Sequence, residues 1–160
     1  MARGQYNTVW HKTKEGEWKF LVDIGNSYKT ENNSVEAEKI DAEKLSQKPI
    51  NLASLVKTEE AFIKALKDGK NQAYSKYLSK KSILNHPGLR PATLKEEQAI
   101  TIGSIPSDIQ LSIINSGIAG SGDLGYVYGS ALSNGKTQNY LHVWRREKTG
   151  WRLALDVLQY

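Results

Sequence analysis

The chain carries the same short pattern near both ends. Tyr6-Asn7-Thr8-Val9-Trp10 is followed by a charged turn and then Trp18-Lys19-Phe20-Leu21-Val22-Asp23-Ile24. Tyr140-Leu141-His142-Val143-Trp144 is followed by a charged turn and then Trp151-Arg152-Leu153-Ala154-Leu155-Asp156-Val157. Both read Tyr-x-x-Val-Trp, a basic turn with Gly, then Trp, Lys or Arg, and an alternating apolar run interrupted by Asp. All 4 tryptophans lie in these two segments. Two β-rich runs joined by Lys, Glu and Gly are a β-hairpin signal. A spacing of about 134 residues is far longer than the roughly 20–50 of a solenoid repeat. The pattern therefore divides the chain. It reads as the tail of one unit, then a whole second unit ending in the same hairpin.

The expected organisation is a hairpin over residues 1–25, a polar linker over 26–50 and a complete domain over 51–160. Asn26–Pro49 is rich in Glu and Lys and poor in large apolar residues, with a short helix expected over Val35–Leu45. Asn32-Asn33-Ser34 is formally a glycosylation sequon, which matters only in an exported chain. From Asn51 the periodicity is helical. Leu52, Leu55, Val56, Phe62, Ile63 and Leu66 share one face, with Asn51 as the cap and Gly69 as the stop. A second helix places Ala73, Tyr74, Tyr77 and Leu78 on one side. A short strand at Ser82–Leu84 ends in Asn85-His86-Pro87-Gly88. Thr93-Leu94-Lys95-Glu96 reads as a capping box that opens a third helix through about Thr101. After Pro106 the period becomes two. Ile109, Leu111 and Ile113 alternate, as do Leu124, Tyr126 and Tyr128, and Asn134-Gly135 is a strong hairpin turn because both positions tolerate φ > 0. Helices first and a meander of strands after predict an α+β fold, with helices on one face of a sheet.

With 160 residues and no cysteine, the domain can build a core but has no disulfide, thiolate zinc site or cysteine nucleophile. Three histidines leave little for a His-based metal site, and no metal or cofactor is expected. The longest uncharged stretch lies between Asp108 and Asp123 and contains Gln, Asn and Ser, so no membrane-spanning helix is expected. The first ten residues lack the apolar core of a signal peptide. The expected location is cytoplasmic as the sequence stands, or outside the cell if the chain is a piece of a longer precursor. The net charge is +5. The excess sits in residues 61–100, mostly as Lys64, Lys67, Lys70, Lys76, Lys80 and Lys81. A solvated helix face accounts for it, so nucleic acid is not the expected partner.

Gly120-Ser121-Gly122-Asp123-Leu124-Gly125 matches G-x-G-x-x-G, but a β-rich run follows where a dinucleotide site needs a helix. The ionisable candidates are His86 beside Pro87, His142 in a strand with Tyr140 and Trp144, and Asp156 in the last strand. Simple alternation puts Asp156 with Arg152 and Ala154, opposite Trp151, Leu153, Leu155 and Val157. Beside a dry pocket its pKa would rise and it could act as a general base, with a Tyr hydroxyl donating to a developing oxyanion. Otherwise it pairs with a neighbouring Arg or faces water. Tyr126, Tyr128, Tyr140, His142 and Trp144 form an aromatic, polar-tipped set that lines a pocket, fills a core or makes a dimer face.

Gly122-Asp123-Leu124-Gly125-Tyr126-Val127-Tyr128-Gly129, Gly135-Lys136-Thr137, Tyr140–Arg145 and Trp151–Val157 resemble SnoaL-like domains of the nuclear transport factor 2-like superfamily, and in particular the domain of unknown function 4440 family. The stretches ending Ala65–Gly69 and covering Tyr77–Gly88 are similar to it too, although His86-Pro87-Gly88 stands where that family usually has an Arg-Pro-Gly-like turn. The resemblance covers Leu52–Val157, and Gly4–Ile24 resembles the last hairpin of a preceding copy. It implies a cone-shaped α+β fold, a strongly bent antiparallel sheet around the helices, with a pocket at its open end and a homodimer through the sheet face. It also implies either a cofactor-free acid–base enzyme of isomerase, cyclase or hydratase type, or a non-catalytic binding or association module. For the enzyme, Asp156 would be the base, with His86 or His142 and Tyr126 or Tyr128 as partners. Tyr126, Tyr128, Tyr140 and Trp144 would line the pocket for a small apolar or mixed-polarity molecule.

Overall fold

The computed structural model describes residues 2–29 and 51–160. The expected helix over Val35–Leu45 and the Asn32 sequon lie outside the described residues. In chain order the elements are β1 (Ala2–Lys12), β2 (Trp18–Lys29), α1 (Leu52–Asp68), α2 (Lys70–Tyr77), β3 (Leu78–Asn85), α3 (Lys95–Ser104), β4 (Gln110–Ile118), β5 (Leu124–Ser133), β6 (Lys136–Glu147) and β7 (Gly150–Leu158). The fold is α+β, as the order of patterns predicts. No described helix is long and apolar enough to cross a membrane.

Local chemistry accounts for most of the boundaries. Asn51 accepts a hydrogen bond from the Ala53 N–H and caps α1, and the Gly69 N–H closes it on the Ala65 carbonyl. The start of α3 differs by one residue from the expected capping box. Leu94 is the cap position, and Glu97 rather than Glu96 reaches back to accept from the Thr93 and Leu94 N–H groups at 3.2 Å. The carboxylate still satisfies orphan N–H groups in the first turn, so the physical role is kept while the register moves. Asn134 and Gly135 take φ of 50° and 71° in the β5–β6 turn.

β4 to β7 form an antiparallel meander, and β3 joins its far edge parallel to β7, giving the order β3-β7-β6-β5-β4. The sheet curves strongly around the helices. Its inner face presents Val127, Ala131, Tyr140, Trp144, Trp151, Leu153 and Leu158 to Leu55, Phe62 and Leu66 of α1 and to Tyr74 and Tyr77 of α2. Phe62 is the hub, meeting Tyr74, Tyr77, His142 and Trp144 edge-on with ring centroids 5.3–5.9 Å apart. Such edge-to-face pairs add roughly 0.5–1.5 kcal/mol each beyond the area they bury.

Within the β4–β7 meander two bulges break simple alternation. One lies between Ile113 and Asn115 in β4 and leaves Ile114 exposed. The other lies between β6 and β7: Val143 faces Leu155 and Trp144 faces Leu153, so Ala154 is the extra residue. An inserted residue reverses the side-chain phase beyond it. Asp156 therefore turns inward with Trp151, Leu153 and Leu158, while Leu155 and Val157 turn outward. This corrects the expected grouping of Asp156 with Arg152 and Ala154.

The N-terminal hairpin is a separate two-stranded sheet. It lies against the outer face of β6 and β7, where Ile24, Leu141 and Val157 form a second apolar cluster with Val9, Val22, Val143 and Leu155. β2 continues through Asn26–Lys29, residues expected in the linker, because that end is anchored. Asn26 donates to the Asn85 and Leu158 carbonyls, the Gly88 N–H donates to the Ser27 carbonyl, and Tyr28 is buried.

Gly129 shows how tightly β4, β5 and β6 are drawn together. A Cβ there would stand 2.0 Å from the Ser112 carbonyl oxygen and 2.7 Å from the Tyr140 ring, whereas a Cβ at Gly103 in α3 would meet nothing within 4 Å. Gly129→Ala should lower unfolding stability by about 3 kcal/mol, through a clash with backbone that cannot move aside. Gly103→Ala should leave it equal or higher by up to about 1 kcal/mol. Urea denaturation of the two variants checks the contrast.

Candidate active site

The inner face carries one chain of charged groups within the apolar core. Glu59 comes from α1, Tyr74 from α2, His86 from just beyond β3, His142 and Trp144 from β6, and Asp156 from β7. Glu59, His86, His142 and Asp156 are all fully buried. The His142 Nδ1 is 2.8 Å from Glu59 Oε1, and the Trp144 Nε1–H donates to Glu59 Oε2 at 2.7 Å. His142 Nε2 stands 3.3 Å from Asp156 Oδ1, an ion-pair distance without hydrogen-bond geometry. Asp156 Oδ2 accepts from the Tyr74 hydroxyl at 2.6 Å and meets His86 Nε2 at 2.9 Å. The result is a continuous relay: Glu59, His142, Asp156, His86.

Burial alone would drive the His142 imidazolium to lose its proton, but the Glu59 and Asp156 carboxylates outweigh it and raise its pKa to about 10. Burial alone would raise Asp156, but His86 and His142 hold it well below the ordinary carboxylate range. Tyr74 is pushed well up, by burial first and by the Asp156 charge second, so it remains a hydroxyl donor. Asp156 neither pairs with an Arg nor faces water. Arg152 donates to Thr149 instead. The expected rise in the Asp156 pKa is also replaced by a fall, because it is held by two imidazole rings rather than by a bare apolar pocket. With Asp156 ionised, the His86 Nε2 carries the proton and donates it. In the neutral ring Nδ1 then keeps a lone pair, and that atom is buried with no hydrogen-bond partner. The Tyr140 hydroxyl is buried and makes no hydrogen bond of good geometry, although burial and the nearby Glu59 carboxylate both raise its pKa; its ring is 4.6 Å from the His142 ring. On the solvent side the half-buried Tyr160 stands edge-on to His86 at 5.9 Å, and its hydroxyl shares a 2.7 Å hydrogen bond with Ser104.

The structure thus brings together Asp156, His86, His142, Tyr140 and Trp144. It places Tyr126 and Tyr128 elsewhere. Their rings stack 6.5 Å apart on the outer face of the sheet, against the Ile24 cluster. Strand alternation is the reason, since Val127 between them points inward. Two grooves among the described residues are not lined by the relay. One of about 440 Å³ runs between the end of α1 and residues 105–110. The other, of about 600 Å³, lies between the hairpin tip and the β4–β5 end, with Trp10, Trp18, Leu21, Ile118, Leu124 and Tyr126 in its wall. Among the described residues, no His, Asp or Glu cluster is arranged to hold a metal ion. The relay's carboxylates are engaged by imidazole and indole instead. Glu59 is absent from the candidates drawn from the sequence, and Tyr74 stands there only as a core residue. Glu59 did carry a signal: it lies on the apolar stripe of α1 between Leu55 and Phe62, where an unpaired carboxylate would not be tolerated.

No family model matches the chain and no curated protein matches it. Solved structures do. A ketosteroid isomerase-like protein from Erwinia carotovora atroseptica is similar with a TM-score of 0.57 and 20% identity, over 68% of this chain and 94% of that one. A putative dehydratase from the NTF2-like family of Streptomyces avermitilis gives 0.53 and 19%, over 68% and 94%. An NTF2-like protein with a cystatin-like fold from Novosphingobium aromaticivorans gives 0.50 and 12%, over 67% and 79%. These likenesses establish an NTF2-like, cystatin-like fold.

The pH dependence of stability follows from the relay. A pKa raised from 6.5 to about 10 stabilises the fold fully below pH 6.5, and that contribution is lost as pH rises through 10. The lowered Asp156 pKa acts in the opposite direction, with stability present above 3.8 and lost as pH falls below it. Urea midpoints should fall between pH 7 and 10 in the wild type and much less in His142→Gln. Glu59→Leu, which leaves the imidazolium buried with one counter-charge fewer, should cost about 3 kcal/mol at pH 7.

Proposed function

We propose that the domain is a small-molecule site working by cofactor-free acid–base chemistry of the isomerase, cyclase or hydratase type. His86 carries the proton, with Asp156 and His142 behind it. Four buried polar atoms at the relay lack a hydrogen bond; His142 Nε2 and Asp156 Oδ1 face each other at 3.3 Å, and the observation that supports the proposal most is the other two, His86 Nδ1 and the Tyr140 hydroxyl. Buried polar groups are normally satisfied, so an unpaired acceptor and an unpaired hydroxyl on one network point to a ligand with a proton to give and an oxygen to receive one. Asp156, held ionised by three neighbours, is too weak a base to take a carbon-bound proton itself. Its task is to fix the His86 tautomer and stabilise the imidazolium that forms. Tyr140 would donate to the developing oxyanion and Trp144 would hold Glu59 against His142. Because His86 is fully buried, a ligand enters by displacing Tyr160 from its place beside that ring. The ketosteroid isomerase-like and dehydratase-like names of two structural neighbours agree with this class of chemistry.

A naphthol, whose hydroxyl resembles an enol, is a suitable probe. Titration into ¹⁵N-labelled protein should shift the His86 ring resonances saturably. His86→Gln should weaken binding, followed by naphthol fluorescence, at least tenfold. Tyr126→Phe, on the other side of the sheet, should leave it unchanged, and Tyr160→Ala should speed it. No shift at His86 up to the probe's solubility overturns the assignment.

One observation favours a second reading, a non-catalytic association module in which β1 and β2 are the final hairpin of a preceding copy. Tyr6, Trp10, Trp18 and Phe20 are 56–71% exposed on the hairpin's free face. Tyr6, Trp10 and Trp18 align with Tyr140, Trp144 and Trp151, which the helices bury. In that case His86 does not respond to the probe, and Trp10 and Phe20 carry the interaction instead.

A further inference from the structure

The two hairpins match in more than sequence. When Tyr6–Trp10 is aligned with Tyr140–Trp144, and Trp18–Asp23 with Trp151–Asp156, the cross-strand pairs correspond one for one. Tyr6 faces Gly25 as Tyr140 faces Leu158, Thr8 faces Asp23 as His142 faces Asp156, and Trp10 faces Phe20 as Trp144 faces Leu153. The bulge falls at the same step, between Val9 and Trp10 and between Val143 and Trp144, leaving Leu21 and Ala154 as the extra residues. The Thr8 hydroxyl donates to Asp23 Oδ1 at 2.9 Å where, in the domain, His142 meets Asp156.

The contact between the hairpins is reciprocal. Asn26 Nδ2 donates to the Leu158 carbonyl at 3.1 Å, and Gln159 Nε2 donates to the Gly25 carbonyl at 2.8 Å. In the alignment Asn26 corresponds to Gln159, and Gly25 corresponds to Leu158. The apolar contact repeats the relation. Ile24 packs with its counterpart Val157, and Val9 and Val22 share the cluster with their counterparts Val143 and Leu155. A contact in which residue i meets j′ and residue j meets i′ is what a two-fold, self-complementary interface produces. An arbitrary hairpin laid on a sheet has no reason to produce it.

We infer that the hairpin occupies, within one chain, the position of a second copy's β6–β7, and that the outer face it covers is self-complementary. The partner that face fits once uncovered is a second copy of this chain. The hairpin holds the place by anchors a second β7 does not bring: Asn26 also donates to the Asn85 carbonyl, Asn85 donates to the Gln5 carbonyl, and Tyr28 bridges to Gly88. On this inference the homodimer expected through the sheet face gives way, across β6 and β7, to an intramolecular stand-in.

Light scattering after size-exclusion chromatography, on the full chain, tests this. Val143→Lys, at a partly buried position of the outer cluster, should leave the wild-type mass unchanged. Ile24→Asp combined with Asn26→Ala should make β2 amides exchange rapidly while the near-ultraviolet circular dichroism of the domain persists. Its mass should rise to about twice that of one chain with increasing concentration. Adding Val143→Lys to that variant should return it to a single chain. The inference is overturned by any of four results: a wild-type dimer that Val143→Lys dissociates, a released hairpin with no rise in mass, a dimer insensitive to Val143→Lys, or a hairpin that stays protected in the double variant.

Discussion

The relay of Glu59, His142, Asp156 and His86 is the constraint around which the domain is assembled. It takes one group from α1, one from β6, one from β7 and one from the end of β3. Each member is fully buried, so each depends on the others for its polar partners. Removing a partner from such a set leaves a desolvated charge, which costs several kcal/mol, whereas the intact set contributes little net stability over an apolar core. The network therefore specifies arrangement more than it strengthens the fold. α1 can sit on the sheet only where Glu59 meets both His142 and the Trp144 indole. β3 can close the sheet only where His86 reaches Asp156. Phe62 fills the space beside the relay with four edge-on ring contacts and keeps water from the carboxylates.

The order of elements, the caps of α1 and the Asn134-Gly135 turn were legible in the sequence, because each rests on interactions within a few residues. What was not legible depends on partners distant in sequence. The phase of Asp156 is the clearest case. Alternation from Trp151 places it wrongly, since the bulge at Ala154 is visible only in the pairing with β6. β3 parallel to β7 is another, because nothing local to Leu78–Asn85 says which edge it will join. Of the candidate residues, Asp156, His86, His142, Tyr140 and Trp144 meet in space, and Tyr126 and Tyr128 do not. The difference is one of strand parity. Glu59 was recoverable: a carboxylate in the middle of an apolar helical stripe needs a buried donor, and the chain offers few candidates besides His142 and the tryptophans.

The bulge at Ala154 is also what lets β7 serve two faces. Without it, Asp156 and the pair Leu155 and Val157 would exchange sides. The carboxylate would fall among Leu141, Val143 and Ile24, and the apolar residues would replace it beside His86 and His142. With it, the inner face gains a charge where imidazoles can hold it, and the outer face gains the apolar surface that receives the hairpin. The hairpin's own bulge at Leu21 has the corresponding effect, turning Val22 and Ile24 toward the domain and Asp23 toward Thr8 on the free side. The site and the sheet-face contact are therefore set by one irregularity. A change that removed the Ala154 bulge would disturb both together, while a change on either face alone would leave the other in register.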